Sequence, residues 1–189
     1  MRIQLAQRTE ADELLGRSPL ALLVGMLLDQ QIPMEWAFTG PQTISERLGH
    51  DLTAEEIASF DPGEFAALLA EKPAVHRYPK AMAERVQRLA AYLVEHYDGK
   101  PENIWTDAAD GKELLGRLLE LPGYGKQKAQ IFLALLGKQM EVQPPGWREA
   151  AGLYGEEGSL RSVADVVDAD TLGRVRAAKQ EAKRVATAK

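Results

Sequence analysis

The stretch LPGYGKQKAQIF, residues 121–132, combines residue types that can hold an anion. Gly123 and Gly125 lack a Cβ and permit positive φ, so successive backbone N–H groups can point outward beside the start of the following helix. The helix dipole and those N–H groups would attract a phosphate diester whatever the base sequence, and Lys126 and Lys128 add charge beside it. The same glycines would also serve an αα-corner that needs them only for its turn. Other reactive chemistry is scarce. The chain has no cysteine, which excludes disulfides, thiolate zinc sites, cysteine nucleophiles and iron–sulfur clusters. His50, His76 and His96 show no metal-ligand spacing, so no metal site is expected.

A chain of 189 residues with 45 % hydrophobic content can bury a real core, as one domain or two intimately packed small ones. Its start, MRIQLAQRTEADELLGR, is charged throughout, and the longest apolar run, LALLVGMLL, is far short of the roughly 20 residues a membrane span needs. The expectation is a soluble cytoplasmic protein without a membrane partner, nucleoid-associated if bacterial. The net charge of −5 argues mildly against nucleic acid, but the charge is unevenly spread. Between His50 and Glu71 there are acids and no Lys or Arg, whereas residues 121–138 hold Lys126, Lys128 and Lys138 and no acid. From Arg174 onward the tail is basic, with Glu181 its one acid. Such polarity fits a protein that turns one face to a polyanion, and equally a set of ordinary solvated faces ending in a frayed lysine-rich helix.

Period-2 alternation is almost absent and helical periodicity with clear caps recurs, so the fold class is all-α. Ser18-Pro19 opens an apolar helix running to about Gln31. Pro33 starts another, which Gly40-Pro41 should interrupt and residues 43–48 continue. Thr53-x-x-Glu56 and Asp61-Pro62-x-Glu64 are capping patterns that predict short helices at about 54–60 and 62–71. Residues 79–97 form a long amphipathic helix ended by Asp98-Gly99. Residues 112–119, the LPGYG turn and residues 126–136, closed by Gly137, make a helix-hairpin-helix. A rigid Gln143-Pro144-Pro145-Gly146 segment, a short helix at about 147–153, a segment at 163–167 and a basic helix from about Thr171 complete the chain.

The run RYPKAMAERVQRLAAYLVEHYDGKPENI, followed by LLELPGYGKQKAQIFLALLG and EVQPPGWREAAGLYG, resembles in order and spacing the HhH-GPD superfamily of base-excision DNA glycosylases, with endonuclease III its familiar member. The upstream LALLVGMLLDQQIPMEWAF resembles that family's first barrel helix, whose closing Gln intrudes into the duplex; Gln31 is the matching position. The resemblance covers about residues 18–155. It implies a two-lobed all-α fold with an interlobe groove: residues 18–137 as a six-helix-barrel-like lobe containing the helix-hairpin-helix (112–136), and residues 1–17 plus 138–189 as a second lobe with the basic C-terminal helix. It implies double-stranded DNA with a damaged base or abasic site as the partner, held by Gly123, Tyr124, Gly125, Lys126 and Lys128. In the family the hairpin carbonyls often also hold a monovalent cation.

The family's catalytic pattern is broken here. Its Asp lies in a Val-Asp-Thr-His-like segment, and this chain reads Val142-Gln143-Pro144-Pro145-Gly146-Trp147-Arg148, which places Gln143 at the Asp position. An amide neither takes a proton from water nor supplies a full negative charge. The Lys of bifunctional members, which forms a Schiff base with the sugar, is matched by Gln127. Lys126 and Lys128 flank it, turned about 100° away on a helix. These departures imply an atypical member: a monofunctional glycosylase without AP-lyase activity, or a non-catalytic lesion-binding module. Asp29, in the polar triplet Asp29-Gln30-Gln31, is the best remaining carboxylate, although the triplet could merely cap a helix. Gln30 and Trp147 would then line the base pocket and Gln143 would read the base edge. The Trp147 indole could instead plug the core between the lobes, and Trp36 reads as a core residue more readily than as a stacking platform.

Overall fold

The computed structural model describes residues 3–188; Met1, Arg2 and Lys189, the last a cation of the basic tail, lie outside them. The protein is all-α. Ten α-helices follow in order: α1 (Thr9–Arg17), α2 (Pro19–Leu28), α3 (Met34–Leu48), α4 (Ala54–Ser59), α5 (Pro62–Ala70), α6 (Pro79–Tyr97), α7 (Gly111–Leu119), α8 (Lys126–Gln139), α9 (Trp147–Ala151) and α10 (Ala169–Thr187), with 3-10 turns at Pro101–Ile104, Gly152–Gly155 and Val163–Asp165.

Helix starts follow the caps that the sequence encodes. The side chains of Ser18, Thr53 and Asp61 accept from the backbone N–H of Ala21, Glu56 and Glu64, and Pro19 and Pro62 sit in the first turn where their missing N–H costs nothing. α2 is the central strut: every residue from Leu20 to Leu28 is buried. α3 packs along it, and the expected break at Gly40-Pro41 does not occur, because α3 continues through Pro41. Gly40 brings α3 so close to α2 that a Cβ there would lie 2.6 Å from Leu28 Cδ1. Thr39 and Thr43 donate their hydroxyls to the carbonyls of Glu35 and Thr39, one turn back along the same helix. Packing outweighs the proline penalty of about 3 kcal/mol.

α8 likewise runs past its expected stop at Gly137 to Gln139. That glycine is a packing device, since a Cβ on it would lie 2.3 Å from Trp147 Cε3. The Pro-Pro-Gly turn drops Trp147 against α8 while Pro145 accepts from the Gly111 N–H (2.8 Å) and a Cβ on Gly111 would meet the Trp147 backbone at 2.5 Å.

α1 packs on α2 and α3, while α4 and α5 pack on α6. α8 packs on α7, α9 and the two later 3-10 turns. α1 sides with α2 and α3, and the hairpin helices side with the segment after residue 138. One continuous core unites them, from Ile3 to Val175.

Candidate nucleic-acid interface and carboxylate site

The site is built where α2 ends against the start of α8. The last carbonyls of α2 lack the full set of helical partners, and side chains, one of them distant in sequence, add to them. Lys128 Nζ donates to the carbonyls of Met26 (2.7 Å) and Leu27 (3.1 Å), and Gln30 Nε2 donates to Leu27 (2.8 Å). A cation at a helix C-terminus is electrostatically favoured. The chain then turns through Asp29, Gln30 and Gln31, with Gln31 exposed in the left-handed region at φ 60°. The buried ring of His76 fixes this turn: its Nδ1 accepts from the Tyr78 N–H (3.0 Å), which leaves Nε2 as the donor to the Gln30 carbonyl (2.9 Å). Burial holds the His76 pKa below its ordinary value, in keeping with a neutral ring. Arg85 donates to Gln30 Oε1 (2.6 Å), so each end of the Gln30 amide makes one bond that holds the turn.

Asp29 is half-buried at the centre of this arrangement. Burial pushes its pKa up, the charges of Lys179 and Lys128 pull it back, and Glu35 raises it again. Among the described residues no hydrogen bond contributes to that balance, which leaves the carboxylate able to accept one. Lys128 faces the opposite pressure: burial lowers its pKa to about 8, with Asp29 opposing the drop and Arg85 adding to it. It is a structural cation of the α2 terminus first, which the sequence reading of a flanking phosphate contact did not foresee. Arg176 of α10 pairs with both carboxylate oxygens of Glu35, so the C-terminal helix reaches across to α3 beside Asp29.

The hairpin turns differently at its two glycines. Gly123 is left-handed at φ 84°, and a Cβ on it would lie 2.4 Å from Leu27 Cδ1. Gly125 is extended at φ −76° and caps α8 with open space where a Cβ would stand. It does not take the positive φ that glycine permits there. Both glycines and Lys126 are exposed. Tyr124 is turned inward: its ring meets Phe132 edge-on and its hydroxyl donates to the Leu23 carbonyl (2.7 Å), so it can offer DNA only its backbone. Among the described residues the carbonyls of Pro122 and Gly123 accept no backbone hydrogen bond.

Gln143 and Trp147 stand apart from Asp29's neighbours. Gln143 Nε2 donates to the Gly137 carbonyl of α8 (2.8 Å), and its side chain borders a cavity of about 530 Å³ shared with Lys138, Arg148 and Arg174. Trp147 is the interior plug of the two alternatives: it is 8 % exposed and stacked under the Arg148 guanidinium at 4.4 Å. Trp36 is half in and half out, its indole N–H donating to Ala74 (3.0 Å). Gln127, at the position matched to the family's Lys, donates to the Tyr154 hydroxyl (3.1 Å).

The start of α8, with Gly123, Gly125 and Lys126 exposed, thus stands against the end of the buried helix that Asp29 closes. The chain belongs to the HhH-GPD superfamily of base excision DNA repair proteins, whose family model matches residues 24–189. DNA is its partner and base-excision repair its general function. No curated protein and no solved structure matches it.

Proposed function

We propose that the protein is a monofunctional DNA glycosylase that hydrolyses the N-glycosidic bond of a damaged base in duplex DNA, with Asp29 as its working carboxylate. Asp29 itself carries this reading. It is a half-buried acid with a raised pKa and a free carboxylate, at the end of the helix that the hairpin touches. A carboxylate with a raised pKa is a better base near neutral pH, able to take a proton from the attacking water while its charge stabilises the oxocarbenium-like sugar. The exposed backbone at Gly123 and Gly125, with Lys126, holds a phosphate, and exposed Gln31 probes the stack. The reaction consumes water and needs no Schiff base. Gln127 cannot form one, and Lys128 is committed to two carbonyls.

The amide of Gln143 at the family's Asp position favours a second reading, a lesion-binding protein without chemistry. Incubation with duplexes carrying uracil, alkylated, oxidised or deaminated bases, followed by hot alkali, separates the two. Wild type should yield abasic product on at least one duplex, and Asp29→Asn should bind that duplex with rate reduced about a hundredfold or more. Undiminished cleavage by Asp29→Asn removes that residue from the mechanism. Binding by wild type with no product on any duplex leaves the second reading, and strand breaks before alkali treatment contradict the absence of lyase activity.

A further inference from the structure

α10 is held by its first two turns and then leaves the core. Leu172 and Val175 are its buried residues, and every residue from Arg176 to Ala188 is exposed. Isolated helix of that length is marginal in water, so the second half of α10 needs a reason to stay where it is. Arg176 ties it to Glu35 of α3, and from Ala178 to Lys183 it forms one wall of a cleft of about 470 Å³. The opposite wall is Gln127 and Ile131 of α8 with Leu153, Tyr154 and Arg161.

The composition of the cleft is one-sided. Ala178 and Ala182 form one i,i+4 row and Lys179 and Lys183 another, so small side chains leave the slot open while two ammonium groups edge it. Like charges at that spacing repel, and Arg161 adds a third cation, while no acid lines the cleft. Glu181, the acid nearest in sequence, is taken by Arg184. The cleft is also lined by Tyr154 and by Leu153, 57 % exposed. A basic rim over an aromatic and apolar floor matches a sugar-phosphate chain with a base on its stacking face. The volume suits one or two nucleotides and is too small for a duplex. Neither the turn at residues 29–31 nor the hairpin at residues 123–126 borders it; Lys179, whose charge also acts on Asp29, is the residue the cleft shares with that site.

We propose that the α8–α10 cleft is a single-strand clamp, taking one or two unpaired nucleotides with Lys179, Lys183 and Arg161 on phosphates and Tyr154 against a base. The clamp rests on the proposed DNA-processing reading only in supposing that the hairpin delivers DNA beside it. It gives the basic C-terminal helix a ligand of its own, a strand already opened next to the extruded nucleotide.

The test uses the full chain and fluorescence anisotropy with a labelled thymidine single strand and a mixed-sequence duplex of equal length, across a salt series. Both lysines are exposed, so Lys179→Gln/Lys183→Gln should fold as wild type. Two lost phosphate contacts should flatten its log–log salt slope on single strand by about 1.4. Tyr154→Leu should weaken single-strand binding about fivefold or more. Gly125→Ala probes the hairpin separately: weaker duplex binding with unchanged single-strand binding supports both sites. Single-strand affinity and slope unchanged in the double variant overturn the clamp whatever Gly125→Ala does. Tighter binding by the double variant, or no single-strand binding by wild type, overturns it too. Loss of single-strand binding in the double variant while Gly125→Ala leaves duplex binding untouched would keep the clamp and remove the hairpin.

Discussion

Lys128 and Asp29 are each pushed by burial toward neutrality and each held charged by the other. For Lys128 the consequence for stability can be signed. Its pKa falls from 10.5 to about 8 on folding, so below pH 8 it is charged in both states and its full penalty applies. As pH rises from 8 toward 10.5 the folded protein sheds that proton while the unfolded chain keeps it, and wild type gains stability. A shift of this size corresponds to on the order of 3 kcal/mol. Lys128→Met lacks the titration. The stability difference, wild type minus variant, should therefore climb in urea unfolding series spanning pH 8 to 10.5, and a flat difference would show that the amine is not desolvated. Nothing near Lys128 in sequence announces this role, because the carbonyls it serves lie 101 and 102 residues earlier. The one local hint is electrostatic: a cation in the first turn of a helix opposes the dipole and asks for another partner.

Among the elements, the hairpin's two glycines make separable demands. Gly123 needs its left-handed φ and its missing Cβ to sit on Leu27, whereas Gly125 needs neither for folding. Gly123→Ala should lose about 1–3 kcal/mol of stability. Gly125→Ala should keep the wild-type urea midpoint and still weaken duplex binding, since a methyl group would stand where phosphate meets the backbone. If both substitutions destabilise equally, or if Gly125→Ala binds DNA as wild type does, the hairpin amides are not the contact. Helix starts were legible because caps act within three or four residues, as Ser18, Thr53 and Asp61 do. Two interruptions were misread for the opposite reason. Gly40 and Gly137 look like breaks in one dimension, yet each clears space for a distant side chain, Leu28 and Trp147. The carboxylate was legible as a polar triplet on an apolar helix. Its neighbours Lys179, Glu35 and Lys128 were not, because three separate helices bring them together.

At the scale of the molecule, the hairpin hangs on α2 by few polar ties. Tyr124 bonds Leu23 and Lys128 bonds Met26 and Leu27, while Arg176 spans from α10 to α3. The Tyr124 and Lys128 bonds join the hairpin to the helix that Asp29 closes, so the proposed phosphate grip and the proposed carboxylate share one mounting. The Tyr124 hydroxyl is the simplest tie to cut. It lies within the core, and burial raises its pKa well above 10, so it stays protonated and donating at physiological pH. Tyr124→Phe keeps the ring on Phe132 and deletes only the bond, which should cost about 1 kcal/mol in urea unfolding. Duplex affinity should not change, because the hydroxyl never faces DNA. Glycosylase rate should fall if the tie positions Asp29 against the bound phosphate, giving a loss in turnover without a loss in binding. A variant of unaltered stability that binds duplex more weakly would place the Tyr124 hydroxyl on the DNA and reverse this account of how the hairpin is mounted.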